Sequence, residues 1–290
     1  MLNLSTRNSG VIFALLTACG LGAITTLAKI FYADGGNALT LMLMRTAVST
    51  LVFGLLLLIR QDRFRVDPAL RTSLIALGIF WSGGMVCYLV AVETISVSVA
   101  VLIFYFYPLV VLAYSIASRQ IAASVPLISL FLGAFAGLYL ALSGGEISID
   151  FNGIVFAALA CCGAAFTFIC GARVAAAMSP LLMTFWINAI GLALMIPLAA
   201  GSLALPDSGA ALIALGAATL FYLVAILSQF QALARLTAAR AAFLLNLEPV
   251  VSILLAYLVL NETLSILQAS GAVLVLSTII LSLRFKPAAA

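Results

Sequence analysis

Residues 238–260 read AARAAFLLNLEPVVSILLAYLVL, and after Arg240 the stretch carries one charge, Glu248, followed at once by Pro249. A helix needs about 20 apolar residues to cross a bilayer core, so this segment is long enough to span one. An ionisable side chain at that depth costs at least ~2.5–3.5 kcal/mol, so it faces protein or a wet cavity instead of lipid. Pro249 has no N–H to donate and leaves the carbonyl of Leu245 without its helical partner. Loosened backbone survives at membrane depth only where protein or water satisfies it. A carboxylate beside a helix-loosening proline therefore predicts a polar cavity inside a helical membrane protein.

The rest of the chain has the composition this requires. Of 290 residues, 66% are hydrophobic and 8% charged, with a mean hydropathy of +1.31. Soluble domains carry about 25% charged residues, which excludes a soluble fold. The apolar runs are too long for transmembrane strands, which take only ~9–11 residues. Ten helices fit, at roughly 9–33, 38–59, 71–92, 97–118, 124–143, 152–172, 180–200, 209–234, 238–260 and 265–284. The first exceeds a signal-peptide core and reads as a retained span. The expected fold class is thus an all-α integral membrane protein of ten transmembrane helices.

Charge placement orients it. Arg7, Arg60, Arg63, Arg65, Arg71, Arg119, Arg173, Arg235, Arg240, Arg284 and Lys286 fall on one face if the spans alternate. The other face holds only acids: Asp34, Glu93, Glu146, Asp150, Asp207 and Glu262. Lysine and arginine mark the cytoplasmic side, so both termini are expected inside. The remaining two cations, Lys29 and Arg45, lie within spans.

The chain also repeats itself. Residues 10–20 (GVIFALLTACG) and 153–163 (GIVFAALACCG) agree at six of eleven positions. Pro108 in the fourth helix answers Pro249 in the ninth, and Gly133-Ala134 answers Gly271-Ala272. Two units follow, 1–146 and 147–290, each of five helices. An odd number of crossings threads the second copy in the opposite sense. Inverted repeats with interrupted helices at matching positions are the sequence signature of an alternating-access carrier with a site near the midplane.

The stretch from Leu247 to Leu276, with Glu248-Pro249, Glu262, Gln268 and Gly271, resembles the EamA domain of the drug/metabolite transporter superfamily. In the first half, Cys19-Gly20 stands where that family usually has a Trp-Gly-like pair, and Lys29 and Arg45 follow. Tyr107-Pro108 replaces the Glu-Pro of the pattern. The resemblance implies a ten-helix inner-membrane exporter of amino acids or other metabolites, and the aromatic clustering is similar to that of its bacterial exporters of aromatic amino acids.

Candidate cavity residues are Tyr105 and Tyr107 in Phe104-Tyr105-Phe106-Tyr107-Pro108, and Asn246 and Glu248 in the equivalent stretch. Residues two apart on a helix point about 200° away from one another, so one member of each pair is expected to face the site. Trp81 and Tyr222 occupy matching repeat positions, as do Tyr88 and Gln229, each seven residues further along the same face. Glu248 suits a substrate ammonium or an exchanged proton. Lys29 is a candidate for snorkelling or gating. Arg45, ~11 Å below its helix end, is a candidate for bracing helices or meeting a substrate carboxylate. Pro108 and Pro249 are the structural breaks. Gly83, Gly84, Gly133, Gly137, Gly163 and Gly171 suit close helix packing.

Other chemistries lack their residues. The chain has no histidine, and its five cysteines lie in apolar runs, so neither a metal centre nor a disulfide framework is expected. No cofactor, nucleotide-binding loop or nucleic-acid partner is expected, and no catalytic constellation stands out. The expected partners are a small-molecule substrate and membrane lipid, and oligomeric state has no signature. Export of lipophilic cations is the rival reading, although neither the first nor the sixth helix contains an acid. Phosphate-ester exchange would place more cations in the cavity, and a channel would bring rings of like charge.

Overall fold

A computed structural model describes residues 4–143 and 148–284. Glu146, Lys286 and the proposed boundary between the units at 146/147 lie outside the described residues. Described residues form helices and connections, with no strand among them. The helices are α1 (Leu4–Ala33), α2 (Ala38–Ile59), α3 (Pro68–Thr94), α4 (Val97–Phe104), α5 (Tyr107–Ala117), α6 (Val125–Leu142), α7 (Phe151–Ala177), α8 (Pro180–Ala199), α9 (Gly209–Leu233), α10 (Ala238–Leu244), α11 (Leu247–Leu260) and α12 (Ile266–Arg284). They make ten spans of 18 to 27 residues, because α4 with α5, and α10 with α11, each cross as one interrupted helix.

Starts and stops follow local chemistry. Asn37, Asp67, Asp150, Ser208 and Thr237 cap the first turns of α2, α3, α7, α9 and α10 through side-chain acceptors, which satisfies donors that a helix N-terminus leaves free. At the far end of α11, Asn261 turns the chain in a left-handed conformation, φ 53°, one that asparagine tolerates better than most residues.

Packing repeats between the two halves. α1 lies along α9, and its counterpart α7 lies along α3. α1 also packs on α11, as α7 does on α4 and α5. The pairs α2–α8 and α6–α12 join each helix to its own counterpart, and the fourth and ninth spans meet through α5 and α10. The matching segments near residues 10–20 and 153–163 serve this pairing. A Cβ built on Gly20 would sit 3.1 Å from the carbonyl oxygen of Phe221, and one on Gly163 would sit 2.8 Å from that of Phe80. Small residues let backbones approach in a solvent that supplies no hydrophobic drive between helices.

The two ends of the bundle differ. On the arginine-bearing side α5 packs against α10, and residues 238–246 are buried except for the half-buried Arg240. Towards the other side α4 and α11 diverge to marginal contact, and α11 is far more exposed. The fourth and ninth spans thus pack on each other at the arginine-bearing end through α5 and α10, and not through α4 and α11 at the opposite one.

Candidate functional site

The interruptions put the site where the fourth and ninth spans come near the centre. In the ninth span the proline works as expected at one remove. With no N–H on Pro249, the Leu245 carbonyl accepts from Glu248 N instead, at 2.9 Å. The Phe243 carbonyl accepts both the backbone N–H of Asn246, at 3.1 Å, and its side-chain Nδ2, at 2.8 Å. Asn246 is therefore spent on bracing the loosened turn, and only 3% of it is exposed. Pro108 begins the second half of the fourth span in the same manner, and Tyr105-Phe106 form the break.

That break changes the geometry expected of the tyrosines. Continuous helix would send Tyr105 and Tyr107 in nearly opposite directions. With the helix interrupted between them, both turn into one aromatic cluster with ring centroids 6.0 Å apart. Phe104 lies 5.3 Å from Tyr88 and 5.5 Å from Tyr107, and Phe168 stacks on Tyr107 at 5.2 Å. Phe104 and Phe168 were not among the residues expected from the sequence. Phenylalanine in an apolar span has no pattern that separates a site wall from ordinary core.

Glu248 adjoins this cluster. Its carboxyl lies beside the Tyr105 hydroxyl. Tyr88, Tyr107 and Arg45 stand within electrostatic range of it. Glu248 keeps part of its surface accessible. Gly22 on α1 makes room beside it: a Cβ there would meet the Glu248 carbonyl oxygen at 2.7 Å.

Arg45 closes the opposite side. Its guanidinium lies over the Tyr222 ring, 4.6 Å from the centroid, a favourable cation–π placement. Its Nε is buried without a hydrogen-bond partner, so the guanidinium does not brace freed carbonyls through that nitrogen. Trp81 donates from Nε1 to the Tyr222 hydroxyl at 3.3 Å, and that hydroxyl donates to Asn188 Oδ1 at 3.2 Å. Asn188 escaped the sequence reading, although it is the one amide in the span 180–199. Replacing Trp81 by phenylalanine should cost about 1 kcal/mol, the usual size of an interhelical hydrogen bond in a membrane. A thermal-unfolding midpoint unchanged from wild type would show that the chain from Trp81 to Asn188 contributes nothing.

Gln229 shares a face with Tyr222 and is 1% exposed, with neither amide atom hydrogen-bonded. Lys29 takes no part in the central cluster. Its ammonium pairs with Glu262 at 2.8 Å, and both side chains are about half exposed. One turn deeper the hydroxyls of Thr25 and Ser252 meet at 2.5 Å on the same α1–α11 seam. On the related α7–α5 seam, at the arginine-bearing end, Arg173 donates to the Tyr114 hydroxyl and lies 5.6 Å from its ring centroid.

Fold and site together define a class: a multi-pass helical membrane protein of two similar five-span units, with a carboxylate and a guanidinium within electrostatic range of one another among its spans. The sequence profile of the EamA-like transporter family matches residues 8–143 and 151–284, and the chain belongs to that family, as two tandem copies of its domain. The chain is therefore a member of a family of membrane transporters. A solved crystal structure superposes on it with a TM-score of 0.80, covering 95% of this chain and 96% of the other at 16% identity, and so shares its fold. No curated protein matches the chain.

Proposed function

We propose that this protein exports zwitterionic amino acids, aromatic ones among them, across the bacterial inner membrane by alternating access around the Glu248–Arg45 space. The observation that carries this reading is the pair itself. A carboxylate and a guanidinium with an unpartnered Nε stand within electrostatic range of one another, and Tyr88, Phe104, Tyr105 and Tyr107 cluster nearby. An α-amino acid presents the matching charges on one carbon and leaves its side chain to the aromatic wall. Guanidinium forks suit carboxylates, and tyrosine hydroxyls supply further donors. Entry and exit then alternate between the α4–α11 half of the bundle and the α5–α10 half, with both termini cytoplasmic by the positive-inside rule.

The test is counterflow from preloaded proteoliposomes with three related solutes: tyrosine, tyramine without the carboxylate, and 4-hydroxyphenylpropionate without the amine. Saturable counterflow of tyrosine, with both truncated solutes at least tenfold weaker, is the expected result. Equal or better transport of tyramine would favour the lipophilic-cation reading, for which Glu248 and the aromatic cluster would suffice.

The seams suggest which parts move as one. α1, α9 and α11 pack together, as do α7, α3, α4 and α5, and the Lys29–Glu262 and Arg173–Tyr114 ties lie within these groups. Exposed ion pairs contribute only ~0–1 kcal/mol, so Lys29 acts as a tether and not as a gate. Joining cysteines at positions 29 and 262 with a short bifunctional thiol reagent should leave at least half of wild-type flux. Abolished flux would make that contact a gate.

A further inference from the structure

We infer that the α2–α3 connection is a binding site for the phosphate group of an anionic phospholipid, in the leaflet on the arginine-bearing face. Arg63, Arg65 and Arg71 line one hollow together with Val66, Asp67 and Pro68. Asp67, the single acid there, has Oδ1 engaged by Ala69 N at 2.9 Å as the cap of α3. Arg63 and Arg65 have no carboxylate partner among the described residues, and the nearby Asp62 pairs with Arg60 at 3.6 Å.

A topological signal requires positive charge on this face and nothing more. It does not require three guanidiniums to converge, and other arginines on the face do not. Arg173 is held by Tyr114, and Arg235 by Gln231 and by the Phe13 ring at 5.0 Å.

The hollow is also rigidly mounted. Phe64 packs edge-on against Phe185 with centroids 5.1 Å apart, and its carbonyl accepts from Trp186 Nε1 at 3.1 Å. Arg71 Nε donates to the Val66 carbonyl at 3.3 Å. Planar guanidiniums bind phosphate oxygens in pairs.

What selects lipid over free phosphate is the neighbouring surface. Leu55, Leu58 and Ile59 at the end of α2 are 48%, 61% and 76% exposed, an apolar strip along which acyl chains can lie. Basic pockets beside membrane helices are recognised headgroup sites.

The delipidated full-length protein, in neutral detergent, is titrated with phosphatidylglycerol or phosphatidylcholine and read by native mass spectrometry. Phosphatidylglycerol should bind at least tenfold tighter than phosphatidylcholine. The triple variant Arg63→Lys, Arg65→Lys, Arg71→Lys keeps the charge that guides insertion but loses the forked donors, and should lose most of that preference. Equal binding of the two lipids overturns the site. Undiminished preference in the lysine variant reduces it to diffuse charge and overturns the built hollow. Displacement of the lipid by equimolar glycerol phosphate would assign the hollow to a soluble phosphate and overturn the lipid assignment.

Discussion

Glu248→Gln should lower the apparent affinity for zwitterionic substrate on the order of 100-fold while the protein still inserts and folds. Glutamine matches the volume of glutamate, and its carbonyl can still face the Tyr105 hydroxyl that lies beside the carboxyl. What disappears is the negative charge in an enclosed setting, where removing one partner of a close charge pair costs about 2–5 kcal/mol. Each 1.4 kcal/mol is tenfold in an equilibrium constant. Insertion should not suffer, since a charge is being removed from membrane depth. The measurement is tyrosine counterflow as a function of concentration, beside protein yield and gel-filtration profile. A variant whose concentration dependence stays within twofold of wild type would take Glu248 out of substrate recognition.

The second large effect belongs to the α6–α12 contact. A Cβ added at Gly271 would lie 2.3 Å from Ala141 N and 2.5 Å from the Gly137 carbonyl oxygen. These are backbone atoms and cannot rotate away, so the helices must part. Overpacking of this kind costs about 1–3 kcal/mol or more, and lipid supplies no hydrophobic force to restore the contact. Gly83 supplies the control, because nothing lies within 4 Å of a Cβ there. Alanine is the better helix former at both positions by ~1 kcal/mol. Gly271→Ala should therefore lower the thermal midpoint by several degrees, and Gly83→Ala should hold or raise it. A Gly271→Ala protein as stable as wild type would refute the close approach of α6 to α12.

Gly83 also marks where sequence reasoning went past its warrant. Its sequence setting matches that of glycines at close helix contacts, and its site is open. Gly137, Gly163 and Gly271 do sit against backbone. Composition separates none of these, because a glycine's sequence neighbours do not say which helix lies opposite. The tyrosine pair tells a similar story. Helical periodicity correctly describes an unbroken helix, and the Tyr105-Phe106 break overrides it. Tyr105 and Tyr107 meet instead of diverging. Asn246, a cavity candidate by position, turns its amide back onto the Phe243 carbonyl.

By itself the sequence determined that this is a ten-span helical membrane protein, that its halves repeat, and that Glu248 with Pro249 lies at a special place. Each of these rests on local terms: hydrocarbon thickness sets the run length, and desolvation makes one buried carboxylate conspicuous. Only the tertiary structure decided that Arg45 comes within electrostatic range of Glu248, that Asn188 joins Trp81 and Tyr222, and that the fourth and ninth spans pack on each other through α5 and α10. Those facts depend on contacts between residues far apart in the chain. In lipid such contacts are selected by close fit and hydrogen bonding across helices, which no hydropathy pattern encodes.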